Sequence, residues 1–282
     1  MKNLSKLFTL ILFTLLLSCG ENPKEEPKFS YKPELEKGFW WVTGKTQSGW
    51  ESRDKIKSRY RKYEVEIVDS LFVGVGIHFT NSPRLNRKKA SNIRYSYFLD
   101  RKTAQVLQLN RIDEGKPTTE RVGTNNLGIF SLSPFVMRTD EIPVFPQFPL
   151  EITNDYKDST LAHLPYVKNG YASVSASQLF QQVRPIEKKD FEQLIDRTLK
   201  EQNAFPDSGY VEVLIFEKIS TTVGKLYRQV WHPEIPFYLF SRIQSVNFTE
   251  AERFQTLVED KRNRLLVTEW LVEFKRDKKK KK

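Results

Sequence analysis

The chain has 282 residues, a formal net charge of +11 and a single cysteine. The charge is uneven: Lys2 and Lys6 sit in the first six residues and 275–282 holds seven cations against one anion, so the body between them is near balance and carries no nucleic-acid footprint. One cysteine excludes an internal disulfide and a cysteine-based metal site, while the length allows a full hydrophobic core.

The first twenty residues read MKNLSKLFTLILFTLLLSCG. Two lysines precede an apolar run from Leu7 to Leu17, broken only by Thr9 and Thr14 and followed by Ser18 and Cys19. A charged start and a short apolar core mark an export signal. The run falls short of the roughly 20 residues that span a bilayer. The order Leu16-Leu17-Ser18-Cys19 resembles the bacterial lipobox. That resemblance implies a signal peptide over 1–18, cleavage before Cys19, and acyl chains on its sulfur and on the new amine. The alternatives are an ordinary signal peptide with an incidental cysteine, or an uncleaved anchor. Several acyl chains, at about 0.8 kcal/mol per buried CH₂, hold a soluble body on a bilayer far longer than one chain does. The expected partner is therefore the lipid bilayer, through acylated Cys19, in the cell envelope. Gly20 stands where enteric sorting rules place an Asp for inner-membrane retention. By resemblance to those rules its presence favours the outer membrane, on the periplasmic face or the cell surface.

Residues 19–37 are expected to form the lipidated tether, polar, with three prolines and no apolar periodicity. The body, 38–274, reads mostly as strand and forms either one unit or two sub-halves divided near 140–160. Tyr63, Val65 and Ile67 alternate with Lys62, Glu64 and Glu66, and Val73, Val75, Ile77 and Phe79 share a face in the next run. Asp69-Ser70 supplies the turn between them, and Asp100-Arg101-Lys102-Thr103 joins strands at 93–99 and 104–109. The helical spacing of Phe191, Leu194, Ile195 and Leu199 predicts a core-packing helix from after Pro185 to about Gln202. Further strands are expected at 210–219, 226–231, 237–246 and 264–274. The last of these is read as covered on both faces, with Phe254–Val258 a candidate to pair with it. Thr249 and Glu252 also fit a capping box, which leaves a helical turn there as the alternative. The basic tail, 275–282, reads as a solvated end, with contact to anionic lipid or polysaccharide as the weaker reading.

No catalytic constellation is visible. His78, His163 and His232 lack metal-ligand spacing, so no metal or cofactor is expected. Ser52-Arg53-Asp54-Lys55 matches S-x-x-K only by letter. Gly74-Val75-Gly76 lies inside a strand, where it marks a bulge or bend rather than a phosphate loop. The pairs Asp113-Glu114 and Asp140-Glu141 read as solvated loop charges. Two segments stand out. Ile142–Ile152 carries prolines at 143, 146 and 149, which favours a stiff extended run presenting Phe145 and Phe148. That run is either a ligand-contacting lid or, the commoner case, a crossover whose phenylalanines plug the core. Phe39-Trp40-Trp41 with Trp50 either anchors a first strand or stacks on sugar or lipid.

The runs Gly38-Phe39-Trp40-Trp41-Val42, Tyr95–Thr103 with Val106-Leu107, and Leu226–Phe237 resemble, in their order, the lipoprotein-carrier (LolA/LolB-like) half-barrels of the envelope. The resemblance covers about half the chain and transfers no binding residue. It implies an apolar concave face able to take acyl chains. The expected fold is α+β, mostly antiparallel β, a strongly curved half-barrel-like sheet with at least one packing helix. The expected function is a non-catalytic binding module for lipid or another apolar ligand, with Val73, Val75, Phe145, Phe148, Trp231 and Phe237 on its wall. The alternative is a structural or surface-interaction protein that contacts another envelope protein. An exported hydrolase is the least favoured.

Overall fold

The computed structural model describes residues 30–47, 59–80, 95–113, 116–118, 144–153, 156–168, 171–195, 205–247 and 263–275. In chain order these form β1 (Ser30–Tyr31), β2 (Trp40–Gln47), β3 (Arg59–Val68), β4 (Phe72–Thr80), β5 (Tyr95–Asp100), β6 (Val106–Asp113), β7 (Lys116–Thr118) and β8 (Leu150–Glu151). There follow β9 (Lys157–Lys168), β10 (Tyr171–Pro185), α1 (Lys188–Leu194), β11 (Val211–Lys218), β12 (Val223–His232), β13 (Ile235–Asn247) and β14 (Arg264–Lys275). The class is α+β, with antiparallel strands dominant. Among the described residues no helix is long and apolar enough to cross a membrane.

Twelve strands make one sheet in the order β7-β6-β5-β4-β3-β2-β14-β13-β12-β11-β10-β9, and β1 pairs with β8 in a small second sheet. The large sheet is curved and not closed, and it curls far enough for β6 to meet β9. Register aligns one face across the strands: Leu99 with Val73, Tyr97 with Val75, Tyr63 with Trp41, Thr43 with Leu271, Ser241 with Gln229, and Val213 with Val183. That face carries the main core cluster. Trp41, Tyr63 and Phe237 stack at its centre, with centroids 4.6–5.6 Å apart.

The expected hairpins at Asp69-Ser70 and at Asp100–Thr103 are present. Asp100 fixes the second turn by accepting from Lys102 N, Thr103 N and Thr103 Oγ1. The glycine pair coincides with a register shift between Val65 and Ile67 on the neighbouring strand, opposite Gly74. A Cβ at Gly76 would overlap the Glu66 carboxylate, and one at Gly74 would lie 3.1 Å from Ile67 Cβ. The shift corrects the expected alternation. Tyr63 and Val65 point to the core, but the extra residue turns Ile67 to the outer face, where it is exposed.

The helix is shorter than its periodicity predicts. It ends at Leu194, and Ile195 adopts an extended backbone. Arg242 Nη2 donates to the Leu194 carbonyl, taking a last-turn acceptor that a longer helix would use. Leu199 and Gln202 lie outside the described residues. Phe191 holds the helix down, stacked on Tyr210 at 4.9 Å and edge-on to Phe205 at 5.0 Å.

The last strand also departs from expectation. Its buried face is Val267, Glu269 and Leu271, while Thr268, Trp270 and Val272 between them are half-buried and Leu265 and Phe274 at the ends are exposed, so the second face is only partly covered. β14 bonds to β13 on one edge and to β2 on the other. Phe254–Val258, the segment expected to pair with it, lies outside the described residues. β1 falls inside the expected tether, 19–37, which is therefore part of the fold from Ser30 onward, and β7, β9 and β10 match none of the expected strands.

Candidate functional site

The proline-rich run lies inside the curve of the sheet. Val144, Phe145, Phe148 and Leu150 are buried in the main core cluster. Phe145 meets Phe237 edge-on at 6.0 Å, and Phe148 meets Trp231 at 5.4 Å. Three glutamines, one in the β5–β6 turn, one in β10 and one in β12, hold the backbone of this run. Gln229 Nε2 donates to Val144 O at 2.7 Å, Gln105 Nε2 to Phe145 O at 3.3 Å, and Gln181 Nε2 to Gln147 O at 3.1 Å. Gln181 Oε1 accepts from Gln147 N in return. Gln229 Oε1 also accepts from Trp231 Nε1, which fixes the indole beneath Phe148. The run continues directly into β8, and β8 pairs with β1 at the end of the tether. Tyr31 of β1 donates to Ile235 O at 2.7 Å, and its ring contacts Phe148 and Trp231.

The six residues expected to line a ligand wall are thus brought together. Val73, Val75, Phe145, Phe148, Trp231 and Phe237 all join one cluster, each nearly or fully buried. They pack on one another, and the segment bearing Phe145 and Phe148 fills the space the others face. Cys19 lies outside the described residues, as do Trp50, Ser52–Lys55, Glu114 and Asp140-Glu141. Phe39 and Trp41 are core residues, while Trp40 is half-buried with the Lys62 ammonium 5.4 Å from its ring centroid. His232 is buried, its Nε2 2.8 Å from Ser208 O and its ring edge-on to Tyr210. His78 is also buried, opposite Lys62 in register. Among the described residues no group of three His, Cys, Asp or Glu side chains could hold a metal ion.

Further along the same inner face the lining turns polar. Glu269 is buried, and its carboxylate accepts from Thr43 Oγ1, from Tyr63 OH at 3.2 Å and from Tyr238 OH at 2.9 Å. The buried Arg61 guanidinium bonds to Tyr63 and is attracted to the Glu269 charge. Burial first, then the neighbouring Glu269 charge, pushes the Tyr63 and Tyr238 hydroxyls well above the ordinary tyrosine range. Lys45, opposite Glu269 in register, is buried as well. The alternation in β2 and β3 put these positions inward, but a pattern of apolar residues does not flag Lys45, Arg61 or Glu269. The one available signal was parity with Trp41, Tyr63 and Val267.

An open concavity lies at the tether end of the molecule. It is a cleft of about 730 Å³ between residues 32–37 and the turns of the β3–β4 and β5–β6 hairpins. Leu35, Val68, Val73, Leu99, Ala104 and Phe148 make its apolar part. Lys32, Lys37, Arg101 and Lys102, with Glu34, Glu36 and Asp100, supply its charges. The volume falls within the roughly 300–1,000 Å³ of small-molecule sites. Of the six expected wall residues, Val73 and Phe148 reach this cleft.

No family model and no curated protein matches the chain. Among solved structures, a Bacteroides fragilis protein described as a "putative exported protein with YmcC-like fold" aligns with 7% identity over 88% of this chain and 100% of its own, at a TM-score of 0.18. A score that low carries no argument.

Proposed function

We propose that the protein is a lipid-anchored protein of the cell envelope whose body is a non-catalytic binding module for an amphiphilic ligand. The placement rests on the lipobox-like sequence ending at Cys19, and the outer membrane is the expected address. The observation that carries the binding role is the cleft beside the tether, with an apolar part and a rim of mixed charge, Lys32, Lys37, Arg101 and Lys102 beside Glu34, Glu36 and Asp100. An acyl or similar apolar portion meets Leu35 and Val68, the half-buried apolar side chains of the lining, while a polar head meets the charged rim. The likeness to curved-sheet lipid carriers is part of the same proposal. The expected concave wall gives way to this cleft, because the core-plugging run occupies the interior.

Two measurements test the reading. Feeding cells labelled palmitate and weighing the mature chain tests the anchor: label on a chain that starts at Cys19 supports it, and an unlabelled chain retaining 1–18 overturns it. Native mass spectrometry and a fluorescent fatty acid test the cleft. The expected result is a bound amphiphile that Val68→Trp, which fills the cleft, displaces. A body that retains no lipid and binds no fatty acid favours the second reading, an interaction protein of the envelope. The filled interior is the observation on that side.

A further inference from the structure

Among the described residues, the two ends of the sheet differ in how many large apolar side chains they expose. Register puts the β3–β4 tip, the β5–β6 turn, the start of β2 and the close of β14 at one end, where 32–37 also line the cleft. Ile67 at 45%, Leu71 at 73% and Phe274 at 39% exposure belong to that end, and Ile152, 41% exposed, follows the strand paired with the tether. The opposite end exposes Ile219 and Leu265 among the described residues. A single exposed aliphatic residue means little, but Leu71 is held out by a braced turn. Its N–H donates to Asp69 Oδ1 and its carbonyl accepts from Arg101 N, while Arg101 Nη1 donates to Asp69 O at 3.0 Å. The leucine stands at the apex of a fixed hairpin, and Ile67 lies on the outer face of the same hairpin.

The linker sets what this end can reach. Ser30 opens β1 eleven residues after Cys19, a distance of at most about 40 Å of extended chain. Strands of about ten residues add roughly 33 Å to the far end, so the tether end is the one held near the anchor. The residues around the cleft are balanced, with Lys32, Lys37, Arg101 and Lys102 against Glu34, Glu36, Asp69 and Asp100, so their own attraction to lipid is apolar. The basic tail 276–282 follows β14 in the sequence and adds a separate, salt-sensitive attraction that the test below tells apart.

We propose that the tether end of the sheet rests on the lipid bilayer, with Leu71 entering the interface beside Ile67. The inference takes the position of the anchor from the preceding reading, yet the contact itself needs no acyl chain. It leaves the cleft opening at the membrane surface, where amphiphiles are concentrated.

The test uses the full mature chain with Cys19→Ser, which removes lipidation, and flotation with neutral phosphatidylcholine vesicles. Binding is expected, little changed by salt, and reduced about tenfold or more by Leu71→Asp, as loss of one inserted aliphatic side chain requires. Leu265→Asp at the other end is expected to leave binding unchanged. A polarity-sensitive dye on Leu71→Cys is expected to shift to the blue on vesicles. Equal binding of the chain and Leu71→Asp, or no dye shift, overturns the proposal. Binding only to anionic vesicles, abolished by salt, also overturns it and assigns the contact to Lys278–Lys282. Fatty-acid binding by Leu71→Asp, measured separately, keeps failure of this contact distinct from failure of the cleft reading.

Discussion

Glu269 is a carboxylate taken out of water and given three hydroxyl donors and a guanidinium neighbour in exchange. Such a cluster is costly to break from one side, because the remaining charge stays buried alone. Glu269→Leu is expected to lower stability by about 3–5 kcal/mol, and Arg61→Met similarly, while the double substitution costs less than the two together. Urea unfolding of the three variants checks this, and additive losses would mean that the two charges do not act as a pair. The tyrosines of the same cluster give a pH dependence with a definite sign. Burial raises the folded-state pKa of Tyr63 and Tyr238, with the Glu269 charge adding to it. In the unfolded chain they lose their protons near the ordinary value of about 10. Above that pH the folded state binds more protons than the unfolded one, so stability is full below about pH 10 and falls as pH rises beyond it. The expected outcome is a drop in the urea midpoint between pH 9 and about pH 11 that becomes shallower in Tyr238→Phe. An unchanged slope in that variant would refute the assignment.

The run from Val144 to Leu150 is an extended segment placed where a strand or helix would otherwise fill the core. Before Leu150, which joins β1, its backbone groups have no ladder to join, so side chains must satisfy them. Gln105, Gln181 and Gln229 do so. Gln181→Leu removes the partner of both Gln147 N and Gln147 O. Amide exchange at Gln147 is expected to speed up about tenfold, the equivalent of one hydrogen bond of net worth near 1.4 kcal/mol, while the amides of β12 keep their rates. Equal rates at Gln147 in both proteins would show that the clamp adds nothing. Part of this element is legible in the sequence. Prolines three apart announce a stiff extended run, and its phenylalanines belong in a core. The clamp is not legible, since a glutamine on a strand reads the same whether it faces water or a buried carbonyl. β9 and β10 are illegible for a related reason: Ser, Thr, Ala and Gln occupy many of their positions, and the period of two is faint without large apolar residues. The bulge after Val65 shows the opposite case, in which glycines revealed that the ladder breaks but not which way Ile67 turns.

At the scale of the whole molecule the decisive connection is made last. β2–β7 and β9–β13 form two runs of neighbouring strands, and in the hydrogen-bonded ladder β14 joins them, pairing Gln47 with Val267 and Ser241 with Glu269. Hairpins such as Asp69-Ser70 are readable because their partners are adjacent in sequence. The insertion of β14 between β13 and β2 is not, because nothing in a strand's alternation names a partner two hundred residues away. The sheet's curvature was readable through its glycines and through the many aromatic residues that need an inside. The insertion has a consequence for stability. A chain ending at Asn263 loses the face formed by Val267, Glu269 and Leu271, exposes the edges of β2 and β13, and leaves Arg61 without its carboxylate. Such a chain is expected to lose its near-ultraviolet circular dichroism and cooperative unfolding, because two half-sheets with open edges cannot each bury a core. Removal of Arg276–Lys282, beyond the strand, is expected to leave the urea midpoint where it was, as for a solvated charged end. If the chain ending at Asn263 unfolds cooperatively with the full-length midpoint, the two runs of strands are independent units and β14 is an accessory to them rather than their joint.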